Sequence, residues 1–149
     1  MQVGDIMTKD VKTVRADQSF ADAAKILHEN GISSVVIAGG GGPEGIVTER
    51  DLVNIVAEGL DPGSTRVGER MTRDLATVGS RSDVAEAARI MAERRIRHLP
   101  VVDKGRLAGI LSIRDVTAWA VQEMTGGHEL PDLERSSAAL TAAVEAKKE

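Results

Sequence analysis

The chain has no cysteine and no tyrosine, and only one phenylalanine, Phe20, and one tryptophan, Trp119. Without thiols there is neither a disulfide nor a thiolate metal site. Without clustered aromatics there is no stacking platform for bases, so the core must be built from Val, Ile, Leu, Ala and Met. Positive charge is not in excess: 19 Lys and Arg stand against 23 Asp and Glu, a formal net charge of -4. That balance lacks the basic footprint of a nucleic-acid binder, and an anionic ligand must find a local cluster of Lys or Arg. Apolar runs long enough to cross a bilayer are missing, and the opening MQVGDIMTKDV carries charges where a secretory leader would be apolar. The expectation is a cytoplasmic protein with neither nucleic acid nor membrane among its partners. His28, His98 and His128 show no i, i+4 pairing, so no metal site is expected. With no nucleophile elbow and no H-E-x-x-H, no catalytic residue and no enzyme activity are expected either.

What is present is a repeat. VGDIMTKDVKTVRADQSFADAAKILHENGISSVVI from Val3 aligns without a gap on VGERMTRDLATVGSRSDVAEAARIMAERRIRHLPV from Val67, a constant offset of 64 residues that holds through GIVTERDL at Gly45 and GILSIRDV at Gly109. Each copy reads as β-α-β-β-α. A short extended lead-in, VKTVRAD in the first, precedes a helix with Phe20, Ala23, Ala24 and Leu27, or Val84, Ala87, Ala88 and Met91, at i, i+3, i+4 and i+7. Ser19-x-x-Asp22 and Asp83-x-x-Glu86 resemble capping boxes, and Gly31 is a helix stop. Two apolar strands follow, and a second helix opens at Asp51 or Asp115. The fold class is α+β, with repeat one over 2–60, a linker over 61–66, repeat two over 67–124 and a tail over 125–149. The tail places Leu140, Ala143, Val144 and Lys147 at helical spacing.

Four consecutive glycines, Gly39 to Gly42, raise the question of a phosphate loop. The second copy has DKGR, 103–106, at that position, so the segment joins strand to strand as a hairpin turn. A phosphate loop would instead run from a strand into a helix N-terminus.

The paired DIMT (5–8) and ERMT (69–72), RHLPVVD (97–103), and the paired GIVTERDL and GILSIRDV together resemble two tandem cystathionine-beta-synthase (CBS) domains, a Bateman module, over residues 2 to 124. The resemblance implies two repeats packed about a pseudo-two-fold axis, two clefts able to hold AMP, ADP, ATP or S-adenosylmethionine as a regulatory ligand, and pairing into a homodimer. It implies no other cofactor.

In the family motif Gly-h-x-Thr/Ser-x-x-Asp the carboxylate holds the ribose hydroxyls and the hydroxyl lies near ribose and phosphate. That maps onto Gly45, Ile46, Thr48 and Asp51, and onto Gly109, Ile110, Ser112 and Asp115. An ionised carboxylate can accept two bonds from a cis-diol, each worth about 1.5–3 kcal/mol. The alternative is that Asp51 and Asp115 cap helices, which leaves the hydroxyl residue unexplained. Thr13-Val14 and Thr77-Val78 match positions that contact the adenosyl group in the family, partly by backbone; a β-branched strand edge explains them equally.

AERRIRHLP carries Arg94, Arg95, Arg97 and His98 at a helix C-terminus, where cations are favourable in any case. Planar guanidinium donors also suit phosphate. The first copy has Asn30, Gly31, Ser33 and Ser34 there, so the cleft served by Arg95, Arg97, Ser112 and Asp115 is expected to bind phosphate better than its twin. Trp119 is placed either in a dimer contact or in the core. The leading reading is a regulatory sensor of an adenosyl nucleotide that acts on an effector protein; a ligand-free dimerisation scaffold is the alternative, and a nucleotide hydrolase a distant third.

Overall fold

The structure, a computed structural model, describes residues 1–126; the helical spacing expected in the tail lies outside them. The chain forms two compact units, Met1–Ile113 and Arg114–Glu149. In the first, a one-turn helix α1 (Val3–Ile6) is followed by β1 (Thr13–Val14), α2 (Phe20–Asn30), β2 (Ser34–Gly39), β3 (Gly42–Thr48) and α3 (Glu49–Ala57). A second one-turn helix, α4 (Val67–Arg70), then leads to α5 (Val84–Arg94), β4 (His98–Asp103), β5 (Arg106–Ser112) and α6 (Ile113–Met124). Within the second unit α6 is described to Met124; Val116 on it is buried, and the Trp119 indole N–H is buried with no partner among the described residues.

The local signals act as the residue pattern requires. Ser19 caps α2: its Oγ accepts from the Asp22 N–H at 3.1 Å while the Asp22 carboxylate accepts from the Ser19 N–H at 3.2 Å. Gly31 ends the helix with φ 60°, a left-handed conformation that glycine adopts without penalty. At α5 only half of the expected box exists. Asp83 Oδ1 accepts from the Ala85 N–H at 2.7 Å, and no reciprocal bond from Glu86 is found among the described residues.

The lead-in strands are shorter than VKTVRAD suggests. Two residues pair in parallel in the first copy, Thr13 with Val36 and Val14 with Ile37, and only Val78 with Val101 in the second. The Asp103 carboxylate accepts from the Ser80 N–H at 3.0 Å and tethers that second lead-in, and the Ser80 bonds hold its pKa below the usual carboxylate range. Both hairpins are antiparallel and share an irregularity at equivalent places, Ile37/Ala38 and Val101/Val102. The glycine run is the turn between β2 and β3, with Gly39 paired to Gly42. In its counterpart Lys104 and Gly105 both have positive φ, 52° and 77°, the backbone of a type I′ turn.

The sequence repeat and the folded repeat do not coincide. Residues at the head of each copy complete the other copy's sheet. Val3 and Gly4 donate to the Ser82 and Ser80 carbonyls at 2.9 and 2.8 Å, and Thr8 exchanges two bonds with Ile110 at 2.9 Å each. Sixty-four residues on, Val67 and Gly68 donate to Gln18 and Ala16 at 2.8 and 3.0 Å, and Thr72 exchanges bonds with Ile46 at 3.0 and 3.1 Å. Val67 and Met71 accordingly sit in one core with Val14, Phe20, Leu27, Val35, Ile37, Val47 and Ile55 of the first copy. Helices α1 and α4, absent from the β-α-β-β-α reading, exist because this docking fixes them; a single turn is not stable alone.

The exchange explains the repeated glycines. A methyl group on Gly109 would lie 2.5 Å from Met7 Sδ and 2.8 Å from the Thr8 carbonyl, and one on Gly45 would meet Met71 Sδ at 2.5 Å and the Thr72 carbonyl at 3.0 Å. Gly109→Ala is therefore expected to destabilise the protein by about 1–3 kcal/mol through overpacking against backbone, lowering the melting temperature by roughly 2–4 °C per kcal/mol. An unchanged melt would contradict this packing. Amide exchange gives a second check. Removing residues 1–8 should expose the Ile110 N–H, whose acceptor is Thr8, and leave the Ile46 N–H protected by Thr72.

Candidate functional site

Helix α3 begins at Glu49, two residues before the expected start, and Thr48 rather than Asp51 is its N-cap. Asp51, third in the helix, turns back: its Oδ2 accepts from the Thr48 N–H at 2.8 Å and from the Thr48 hydroxyl at 3.4 Å. The spacing of Thr48 and Asp51 is thus accounted for by helix capping, which corrects the reading that capping explains the aspartate alone. Both residues are half-buried. Asp51 Oδ1 keeps no partner among the described residues, so one carboxylate oxygen remains open to a ligand hydroxyl.

The strand ends are anchored alike in both copies. The first amide of α3, Glu49, donates to the Ser33 carbonyl at 3.1 Å, and the first of α6, Ile113, donates to the Arg97 carbonyl at 2.8 Å. Ser112 pairs with His98 and Ile110 with Pro100 across β4 and β5. The structure therefore brings Arg97, His98, Ser112 and Ile113 to one end of the second hairpin. Asp115 is the third residue of α6, the position Asp51 holds in α3, rather than the first as the sequence suggests. It belongs to the second compact unit.

Arg95 occupies the position of Gly31. It ends α5 in the left-handed region, φ 55° and ψ 42°, a conformation costing a non-glycine residue roughly 1 kcal/mol. Its side chain is exposed, as is that of Arg97, and neither has a hydrogen-bond or ion-pair partner among the described residues. Arg94 differs, being engaged with Asp74 at 3.3 Å. Sequence comparison of the copies held the signal for Arg95, since its counterpart is the helix-ending glycine.

Thr13 and Thr77 are exposed, whereas Val14 and Val78 are buried in the core. Any ligand contact at the valines is consequently through backbone. Ile46 is buried and Ile110 half-buried. Gly45 and Gly109 are explained by the methionine packing above. Sequence reasoning missed one contact: Ser33 Oγ lies 2.8 Å from His98 Nε2, a part-buried hydrogen bond joining the two copies at the ends of β2 and β4 nearest the α3 and α6 N-termini. Ser33 aligns with Arg97 and His98 with Ser34, so no comparison of equivalent positions could pair them.

The family model described as CBS domain matches twice, over residues 3–58 and 67–121. CBS domain-containing protein YhcV of Bacillus subtilis is 30% identical over 132 residues, covering 88% of this chain and 94% of that protein. A CBS-domain containing protein of Agrobacterium tumefaciens has a solved structure with a TM-score of 0.74 and 37% identity, covering 80% of this chain and 99% of that one. The CBS domain pair of protein MJ0100, solved in complex with 5′-methylthioadenosine and S-adenosyl-L-methionine, has a TM-score of 0.77 and 29% identity, covering 83% of this chain and 98% of its own. Two gapless repeats, two hairpins with matching bulges and two successive family matches lead to one conclusion: the chain belongs to the CBS domain family, as a tandem pair.

Proposed function

We propose that this chain is a regulatory module that binds an adenosyl nucleotide, AMP, ADP, ATP or S-adenosylmethionine, where its repeats meet, and works as a sensor rather than an enzyme. The carrying observation is the Asp51 carboxylate, fixed through one oxygen by Thr48 and open at the other. That is a preorganised acceptor for a ribose hydroxyl, and Asp115 stands at the equivalent sequence position. The adenosyl compounds held by the MJ0100 pair support the ligand class. Thr13, Val14, Gly45, Ile46 and Thr48 complete one proposed contact set. Thr77, Val78, Arg95, Arg97, His98, Gly109, Ile110 and Ser112 form the other. The strained and unpartnered Arg95 makes the second the better phosphate site.

Occupancy acts by differential affinity for two arrangements of a cytoplasmic homodimer that regulates an effector protein. Val53 and Val56, 64% and 68% exposed one turn apart on α3, support the dimer. A second reading, a ligand-free scaffold, is favoured by one observation: the capping bonds of Thr48 and Asp51 account for both residues without a ligand.

Thermal melting separates the two. An adenosyl ligand at 100 times its dissociation constant should stabilise the fold by about 2.7 kcal/mol, roughly 5–10 °C at this size, while a guanine nucleotide leaves the melt unmoved. The shift should vanish in Asp51→Asn combined with Asp115→Asn. No response to any of the four ligands would establish the scaffold. Arg95→Gly tests the asymmetry. Relief of backbone strain should raise the melting temperature of the free protein by about 2–4 °C, while calorimetry should show AMP bound at least tenfold more weakly and adenosine unchanged. Equal AMP occupancy of two sites in the parent protein would contradict the asymmetry.

A further inference from the structure

The glycine turn has a second property that its role as a hairpin does not use. The tips of the two hairpins lie side by side: Gly42 approaches the Gly105 carbonyl so closely that a methyl group there would overlap it. Between them is an open groove of about 500 Å³, lined by Ala38, Gly39–Gly42 and the 104–107 segment. Its only charged lining residues are Lys104 and Arg106, both exposed and without a side-chain partner among the described residues. One wall is therefore cationic. The other is four glycines without side chains, so a ligand can reach the main chain. The amides of Gly40, Gly41, Lys104 and Gly105 donate to no backbone carbonyl in the described chain.

We propose that this groove binds a small, multiply charged phosphate-type anion, gripped by Lys104 and Arg106 and by the free turn amides. Two carboxylates stand nearby and limit what can bind. Asp103 is committed to Ser80. Glu44 rests against Gly39, and its repulsion requires an anion with enough charge to outweigh it. The groove lies at the Gly42 and Arg106 ends of β3 and β5, while Thr48 and Ser112 stand at the opposite ends of those strands. At roughly 3.3 Å per residue that is about 20 Å away, so the site does not depend on the adenosyl reading. A ligand here would touch both hairpins at once and tie the copies together at a point remote from the nucleotide.

Calorimetry with pyrophosphate on the full chain tests the inference. Lys104→Gly is chosen because φ 52° suits glycine and the fold is preserved; it is combined with Arg106→Gln, and melting of the unliganded variant checks folding. Measured in the Arg95→Gly, Arg97→Gln background, which removes the other proposed phosphate site, pyrophosphate should bind, and adding Lys104→Gly with Arg106→Gln should weaken that binding at least tenfold. Two results would overturn the proposal: no binding to the Arg95/Arg97 background at millimolar pyrophosphate, or unchanged affinity in that background once Lys104 and Arg106 are replaced.

Discussion

The structure depends on the exchange of short lead segments between its two repeats. Each exchange places one fully buried valine, Val3 or Val67, and a methionine against the other repeat's sheet. Burying a valine is worth about 1.5–3 kcal/mol, and the backbone bonds add geometric definition more than net energy. Neither sheet is complete without residues from the other repeat. Within Met1–Ile113 the two repeats therefore share one packed unit, and the glycines at 45 and 109 are there to let a methionine of the other repeat lie against the strand.

A second set of bonds holds the strand ends at which Thr48 and Ser112 stand. Helix α3 is held at its first amide by Ser33, and α6 at its first amide by Arg97. The Ser33–His98 bond joins the strand ends on which both anchors stand. A change felt at one helix N-terminus therefore has a short covalent and hydrogen-bonded route to the other. The repeats are alike in backbone but unlike in side chains at this point, with Gly31 and Ser33 in one, Arg95 and Arg97 in the other.

What could be read from the sequence was what short-range chemistry decides. The offset of 64, the Ser19 box, the Gly31 stop and the hairpin at Gly39–Gly42 each depend on neighbours within a few residues, and each is found. The Thr48–Asp51 pair was visible, but its meaning turned on a helix start two residues earlier than expected, a margin periodicity does not resolve. The exchange of lead segments was not legible, because identity between Met7 and Met71 reports equivalence and not contact. Ser33–His98 was hidden for the converse reason: it joins residues that the repeat does not align.

The exchange also bears on the order in which the chain is made. Residues 3–8 are synthesised well before their partners, Ser80, Ser82 and Ile110. The first sheet, by contrast, can close once residues 67–72 appear. The sheet of the first repeat thus gains its contacts with residues 67–72 while its own leading segment, residues 3–8, is still waiting. That unattached apolar segment, Val3 to Met7, is where a nascent chain of this protein is most open to capture by a chaperone, or by the matching sheet of a second copy.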